Sequence, residues 1–336
     1  MRINRLLTKD EGIGRREFLK ISATVGGAVL LNQVPGLYAQ DKKRISVATG
    51  GMGGVYFVLG GGVASVLTKY AGVEATAEVT AASVDNCKLV GAKKADLAFC
   101  MNDVAYDALK GQGNFKAALP LRTLCVTYPN IMHVVTTEGT GIKKVADLKG
   151  KRVSTGAPGS GTEVKALRTL EAAGLNHEKD VKKDRLGAAE SAGAMKDGKI
   201  DAYFWDGGVP TSSVLDLSAS PGIKMVLIPH EDLIAPMSAK YGPVYYKSII
   251  PKGVYTGIDY DTPVCGVANI IICNEAMDEA LAYQITKVVF EHQPELVAIH
   301  KEATNLTLEN GSSNKALPYH KGAAKYFKEK GLSVPV

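Results

Sequence analysis

The sequence predicts an α/β fold built as two similar lobes, and three observations carry that expectation. Short strand-like runs alternate with helical stripes, glycine-rich turns stand at the strand ends, and one unit recurs about a hundred residues farther on. Strands that alternate with helices imply mainly parallel sheets covered by helices. In such sheets ligands bind outside the carboxyl ends of the strands, or between domains.

The elements follow in order. The apolar run Ile45-Ser46-Val47-Ala48 leads into TGGMGGVYFVLGGG at residues 49–62, of which half are glycine. Val55, Val58, Leu59, Val63, Val66, Leu67 and Tyr70 then fall at helical spacing. Neither nucleotide fingerprint fits this turn. No lysine with a hydroxyl neighbour follows the glycines, and from Gly51 the last position of GxGxxG is Tyr56. What survives is that glycines let backbone N–H groups approach a ligand and that a helix N-terminus favours an anionic group. Residues 73–80 read as a strand by their branched residues and alternation, Ser83 begins a helix, and residues 96–101 form a short buried strand. Residues 151–155 are the next such strand, 156–161 a loop, and 162–173 a helix. The stretch GKIDAYFW at 198–205 echoes AKKADLAF at 92–99, each a helix end, a turn and Asp-x-x-Phe entering a strand.

Four strand-end loops are therefore candidate ligand sites: 50–56, 81–86, 158–162 and 205–210. Their candidate residues are Gly51, Gly53 and Tyr56, then Ser83 and Asn86, then Ser160, Gly161 and Thr162, and last Trp205 and Gly208. Asn102, at the end of the strand after Met101, joins them. Ser83 and Ser160 sit at helix starts, where a hydroxyl caps the helix while the amides behind it face a cleft. Trp205, the only tryptophan, is expected at the cleft mouth. Catalysis is poorly supplied. The six histidines lie outside these loops, five of them beside polar or charged neighbours as surface histidines are, and no GxSxG elbow, HExxH helix or paired carboxylates occur. The expectation is a binder, not an enzyme, without cofactor or metal.

The totals agree with a globular chain. Its 336 residues, 46% hydrophobic and 22% charged, leave room for about two domains. The formal charge of +6 is half carried by the first 39 residues, and the remainder is too small for a nucleic-acid groove. Five scattered cysteines, at 87, 100, 125, 265 and 273, form no CxxC and have no histidine at ligand spacing, so no metal site is expected. Cys100, Cys265 and Cys273 lie in apolar runs and read as small core residues. At the start of the chain, Arg15-Arg16-Glu17-Phe18-Leu19-Lys20 precedes an apolar stretch too short to span a membrane, with a cleavage site near Leu37-Tyr38-Ala39. Residues 1–39 thus resemble a twin-arginine export signal, which implies a periplasmic protein.

Five segments together resemble the TAXI family of extracytoplasmic solute receptors, which serve TRAP transporters. They are ATGGMGGVYFVLGGGVA, AASVDNCKLVGAKKADLAFCMNDVA, DLKGKRVSTGAPGSGT, DGKIDAYFWDGGVP and LPYHKGAAKYFKEKGL, in order between Ile45 and Leu332. The resemblance implies a type II periplasmic-binding-protein fold, two α/β lobes with a ligand cleft between them. Residues 44–128 would form the first lobe, 129–262 the second, and 263–336 a return crossing that completes the first. It also implies a monomer that delivers glutamate, a dicarboxylate or a related organic anion to integral membrane TRAP transporter subunits. With no arginine in the four loops, backbone amides and hydroxyls would carry the carboxylate. Met101-Asn102 and Phe204-Trp205-Asp206 depart from the family pattern at positions expected to face the ligand, which opens the specificity to an acid other than glutamate, a more apolar one included.

Overall fold

A computed structural model describes residues 42–336. The export-signal segment and its cleavage site lie outside the described residues. The chain runs β1 (Arg44–Ala48), α1 (Val55–Tyr70), β2 (Glu74–Glu78), α2 (Ser83–Gly91), β3 (Leu97–Met101), α3 (Asn102–Lys110) and the long β4 (Leu121–Thr137). It continues through β5 (Arg152–Ser154), α4 (Gly161–Ala172), β6 (Lys182–Asp184), α5 (Ala188–Lys196), β7 (Ala202–Gly207), α6 (Ser212–Ser218), β8 (Met225–Leu227), α7 (Ile234–Tyr241) and β9 (Tyr245–Ile250). Strand β10 (Thr262–Asn274) then leads to α8 (Glu279–Glu291), α9 (Gln293–Ile299), the short α10 (Leu308–Gly311) and α11 (Lys321–Glu329).

One sheet carries all ten strands, in the order β2-β1-β3-β10-β4-β7-β5-β6, with β9 beside β10 and β8 beside β4. Strands β1, β2 and β3 are parallel, and so are β5, β6 and β7. Each parallel trio is flanked by one antiparallel strand, β10 next to β3 and β4 next to β7. The two halves of the sheet, β2-β1-β3-β10 and β6-β5-β7-β4, are thus the same arrangement written twice. At about 3.3 Å per residue, the 17 residues of β4 and the 13 of β10 are long enough to run from one half into the other. One apolar core underlies the first half (Leu59, Phe99, Tyr128, Phe327), another the second (Val135, Tyr203, Val264), and a third crosses between them around Cys100, Phe204 and Ile270.

The echoed Asp-x-x-Phe unit has the same physical task in both halves. Asp96 Oδ2 accepts from the Ser46 amide at 2.9 Å, and Asp201 Oδ2 accepts from the Arg152 amide at 2.8 Å. Each aspartate, immediately before its own strand, satisfies a backbone donor of the neighbouring parallel strand. The phenylalanines, Phe99 and Phe204, are both buried. Leaving such a donor unpaired inside the fold costs about 1–3 kcal/mol, which accounts for an acid at this place in each half.

Two sequence expectations are corrected. Val58, placed on the buried stripe of the first helix, is exposed at 39%, while Tyr56 and Ala64 take buried positions instead. His230 and His320, read as surface residues from their polar neighbours, are buried at 1% and 4% exposure, and His133 is buried completely. All five cysteines are buried and free, with the Cys87 and Cys100 sulfurs 3.3 Å apart. Among the described residues no helix is long and apolar enough to cross a membrane, and no cluster of His, Cys, Asp and Glu is grouped to hold a metal ion.

Candidate functional site

A cavity of about 390 Å³ opens where the carboxyl ends of the two parallel trios face each other. Four helices begin at its wall: α1 with Val55 and Tyr56, α2 with Ser83, α4 with Gly161 and Thr162, and α5 with Ala188 and Ala189. The crossing strand β4 contributes Tyr128 and Asn130 to the lining, and the end of β7 contributes Trp205 and Asp206. Most of the remaining wall is apolar, with Met52, Val79, Met101 and Leu186 among its side chains.

The two halves touch across this cavity. The amides of Val84 and Asp85, in the first turn of α2, donate to the Gly159 carbonyl at 3.1 and 3.3 Å. Ser212 Oγ donates to the Gly53 carbonyl at 2.9 Å. The glycines permit this approach. A Cβ built on Gly54 would lie 3.1 Å from the edge of the Trp205 indole, and one on Gly161 would collide with Met101 Sδ.

The sequence-predicted residues divide into two groups. Gly51, Tyr56, Ser83, Ser160, Gly161, Thr162 and Trp205 line the cavity. Gly53, Asn86, Asn102 and Gly208 do not. Asn86 is a latch inside the first half, donating to the Thr49 and Phe99 carbonyls at 2.7 and 2.8 Å. Asn102 turns away to accept from Asn314 Nδ2 at 3.0 Å. Gly208 packs on Glu302, and Gly53 reaches across to Ser212 with a φ of 87°. Of Phe204-Trp205-Asp206, Phe204 faces the core, as alternation along a strand requires. Ser83 is not a cap either. Ala82 holds the cap position at a φ of 78°, and Ser83 Oγ accepts from the Met101 amide at 3.1 Å. Ser160 does cap its helix, accepting from the Glu163 amide at 3.0 Å, and Thr162 Oγ1 accepts from the Asp206 amide at 3.3 Å.

Sequence reasoning missed Tyr128, Asn130 and the α5 start. The repeat itself held the signal for the last, because α5 follows β6 as α2 follows β2. Nothing local marks Asn130, which becomes part of the site only because β4 runs between the halves.

The four helix starts are not equivalent. Those of α4 and α5 already face acids of their own, Glu163 accepting from the Gly159 amide and Glu190 from the Gly187 amide. The first-turn amides of α2 are taken by Gly159. Only α1, among these four, has no acid in its first turn and no side-chain cap. Its unpaired amides and dipole give the cavity a positive end at Val55 and Tyr56. The opposite character gathers at Asp206. Its Oδ1 accepts from Lys165 Nζ at 3.0 Å, yet Oδ2 is buried without a partner, as is Asn130 Oδ1. Burial pushes the Asp206 carboxyl up to about 6, against the pull of Lys165. Among the described residues, Glu190 and Asp206 are the acidic residues of the lining, the Asp206 side chain itself being wholly buried.

Solved structures share this architecture at low identity. A protein from Bordetella bronchiseptica is 18% identical, with 86% of this chain and 89% of that one covered, at a TM-score of 0.50. PhnD1 from Prochlorococcus marinus, solved in complex with methylphosphonate, is 12% identical over 78% of this chain and 90% of its own, at 0.51. The periplasmic aliphatic sulphonate binding protein SsuA from Escherichia coli is 14% identical over 86% and 90%, at 0.46. With two repeated trios, two crossing strands and a cleft between, the fold is the type II periplasmic-binding-protein fold. Matched over residues 47–331, the chain belongs to the NMT1-like family.

Proposed function

We propose that this chain is the extracytoplasmic solute receptor of a TAXI-type TRAP transporter, enclosing a small organic anion between its lobes and delivering it to integral membrane subunits. One observation carries the reading: four helix N-termini, two from each lobe, converge on one cavity whose two walls are joined by hydrogen bonds. Of these four starts, that of α1 has neither an acid in its first turn nor a side-chain cap, and a helix start of that kind stabilises a negative group. The carboxylate is received at the open α1 terminus, beside Gly51 and Tyr56, while Ser83, Ser160, Gly161, Thr162 and Trp205 shape the remainder. Among the described residues neither histidine nor cysteine lines the cavity, and the Ser83 and Ser160 hydroxyls there are engaged with the Met101 and Glu163 amides, which supports a binder. The transporter type, the monomeric state and residence in the periplasm rest on the sequence motifs. The PhnD1 neighbour offers a parallel, since its structure holds methylphosphonate, a small organic anion, within the same fold.

The test is a melting curve against a panel of mono- and dicarboxylates, with the ligand itself checked for chemical change. Free ligand at a hundred times its dissociation constant adds about 2.7 kcal/mol, a shift of a few degrees in a chain of this size. A melt unmoved by the whole panel removes the anion-receptor reading, and turnover of the ligand replaces it with an enzyme.

A further inference from the structure

Resting on that reading of the cavity, we propose that the ligand is a monoanion with an apolar body, a monocarboxylate whose hydrocarbon end lies against Met52, Val79 and Leu186, and not a dicarboxylate. Three observations lead there. First, the cavity holds large apolar side chains out in water. Met52 and Val79 are 70% and 58% exposed, and apart from the terminal Val336 they are the most exposed large apolar side chains among the described residues. Both line the cavity. Apolar surface gathered in the open at one concave place marks a surface that a ligand covers. Second, the apolar wall comes from both halves of the repeat. Val79 stands between β2 and α2, and the half-buried Leu186 stands between β6 and α5. The two halves thus present an aliphatic side chain to the cavity from matching positions, and a hydrocarbon held there leaves water on both sides. Third, the cavity has room for one negative charge. Among the described residues no lysine, arginine or histidine lines it, and its exposed acid is Glu190. Three of the four helix starts are already engaged, with Glu163, Glu190 and the Gly159 carbonyl. A second carboxylate on the ligand finds no partner here and meets the like charge of Glu190.

One small molecule can meet both demands. At about 390 Å³ the cavity lies near the lower end of the roughly 300–1,000 Å³ of small-molecule pockets. Apolar surface also begins next to the place of the carboxylate. Met52 stands just before the start of α1, and the edge of the Trp205 indole approaches Gly54, the residue that precedes that helix. A chain leaving the α1 start therefore runs onto apolar surface at once.

The experiment is calorimetry on the purified protein with butanoate, hexanoate and octanoate, each set against the dicarboxylate of equal length, succinate, adipate and suberate, and with 1-hexanol as the uncharged control. Each added methylene is expected to tighten the monocarboxylate by about fourfold until the wall is filled. Each dicarboxylate should bind about tenfold weaker, or more, than its partner. Affinity that stays flat with length, or a dicarboxylate bound as tightly as its partner, overturns the apolar monoanion and leaves the anion receptor standing. Hexanol bound as tightly as hexanoate overturns the charge in both readings, and silence from every compound overturns both outright. A wall variant adds a gain of function. Val79→Lys supplies a cation at an exposed position of the wall, and should raise suberate relative to octanoate by about threefold or more. A ratio unmoved in that variant overturns the placing of the hydrocarbon end against Val79.

Discussion

Two of the places where the lobes meet differ in their chemistry. At the cavity mouth the contacts are neutral and largely backbone, the Gly159 carbonyl on the α2 amides and Ser212 on the Gly53 carbonyl. Beside the crossing strand β10 they are ionic and buried. Arg168 of α4 reaches Asp103 Oδ2 at 3.4 Å and pairs with Asp107, both on α3, while the Tyr245 hydroxyl accepts from Arg168 and donates to Asp103, each at 2.8 Å. Neutral bonds at an accessible mouth exchange for water at a net cost of about 1 kcal/mol each. A buried charge cluster has no such exchange, because separation leaves charge without a partner. The same two lobes are therefore free to part at the mouth and held together at the back, which is the arrangement a receptor needs to admit and release a ligand.

The largest expected effect breaks the back contact. Arg168→Met leaves Asp103 and Asp107 facing each other without a cation, and should cost about 3–5 kcal/mol of folding stability. Lysine should not restore it, since the guanidinium also lies over the Tyr241 ring at 4.3 Å and serves three partners in a planar fork. Urea unfolding measures this directly. A loss below about 1 kcal/mol would place the hinge elsewhere.

The next effect comes from acid. Burial pulls His133 and His230 down to about 4, so both are neutral in the fold. A group whose folded pKa is depressed contributes stability that is present above its unfolded value, near 6.5, and is lost as pH falls toward 4. Each histidine contributes roughly 3 kcal/mol by this linkage. Asp206 acts with the opposite sign, its raised carboxyl contributing stability below about pH 4 that is lost as pH rises through 6. Between pH 6.5 and 4 the net loss should thus be about that of one histidine. Urea unfolding free energies at three pH values test it. His230→Gln should flatten the slope even if it lowers stability at neutral pH, and a wild-type curve flat across the window would refute the buried neutral state.

At the mouth the expected effects are smaller and fall on binding. Gly54→Ala places a methyl 3.1 Å from the Trp205 ring, at a backbone φ of −99° that alanine adopts freely. Affinity should drop by roughly threefold to tenfold, with stability changed by less than about 0.5 kcal/mol. If stability falls and affinity does not, the mouth is a folding contact and the contrast with the back disappears.

Much of this was legible in the chain, and the limits are physical. Strand ends and helix starts could be read because periodicity and glycine are local signals, which is why Gly51, Tyr56, Ser160 and Trp205 all line the one cavity. The echoed aspartates were visible as a pattern, but their task depends on a neighbouring strand some fifty residues away in sequence. Ser83 was read as a cap because hydroxyls usually take that place, whereas Ala82 adopts an uncommon left-handed backbone there and shifts the helix start by one. The histidines misled because polar sequence neighbours alternate outward while the ring points in. Asn130, Lys165 and Asp206 come together only through long-range packing, so their balance of charge had no local signature.

The smallest effect is spectroscopic, and it reports most directly on the difference between mouth and back. Trp205 is the only tryptophan and is half-buried, with its indole Nε1 donating to Thr211 Oγ1 at 2.9 Å and its ring edge over Gly54. Thr211 belongs to the same lobe, so that bond survives when the lobes part, whereas the contact with Gly54 crosses the mouth and does not. Opening should therefore wet one edge of the ring without freeing it, and ligand-driven closure should dry it again. The expected outcome is a modest blue shift that saturates together with the calorimetric signal. Trp205→Phe, which keeps an aromatic face but gives up the Thr211 bond, should weaken binding by about 1 kcal/mol or less. Emission that stays flat while heat saturates would mean that the mouth does not move on binding, and the hinge argument would then rest on the back contact alone.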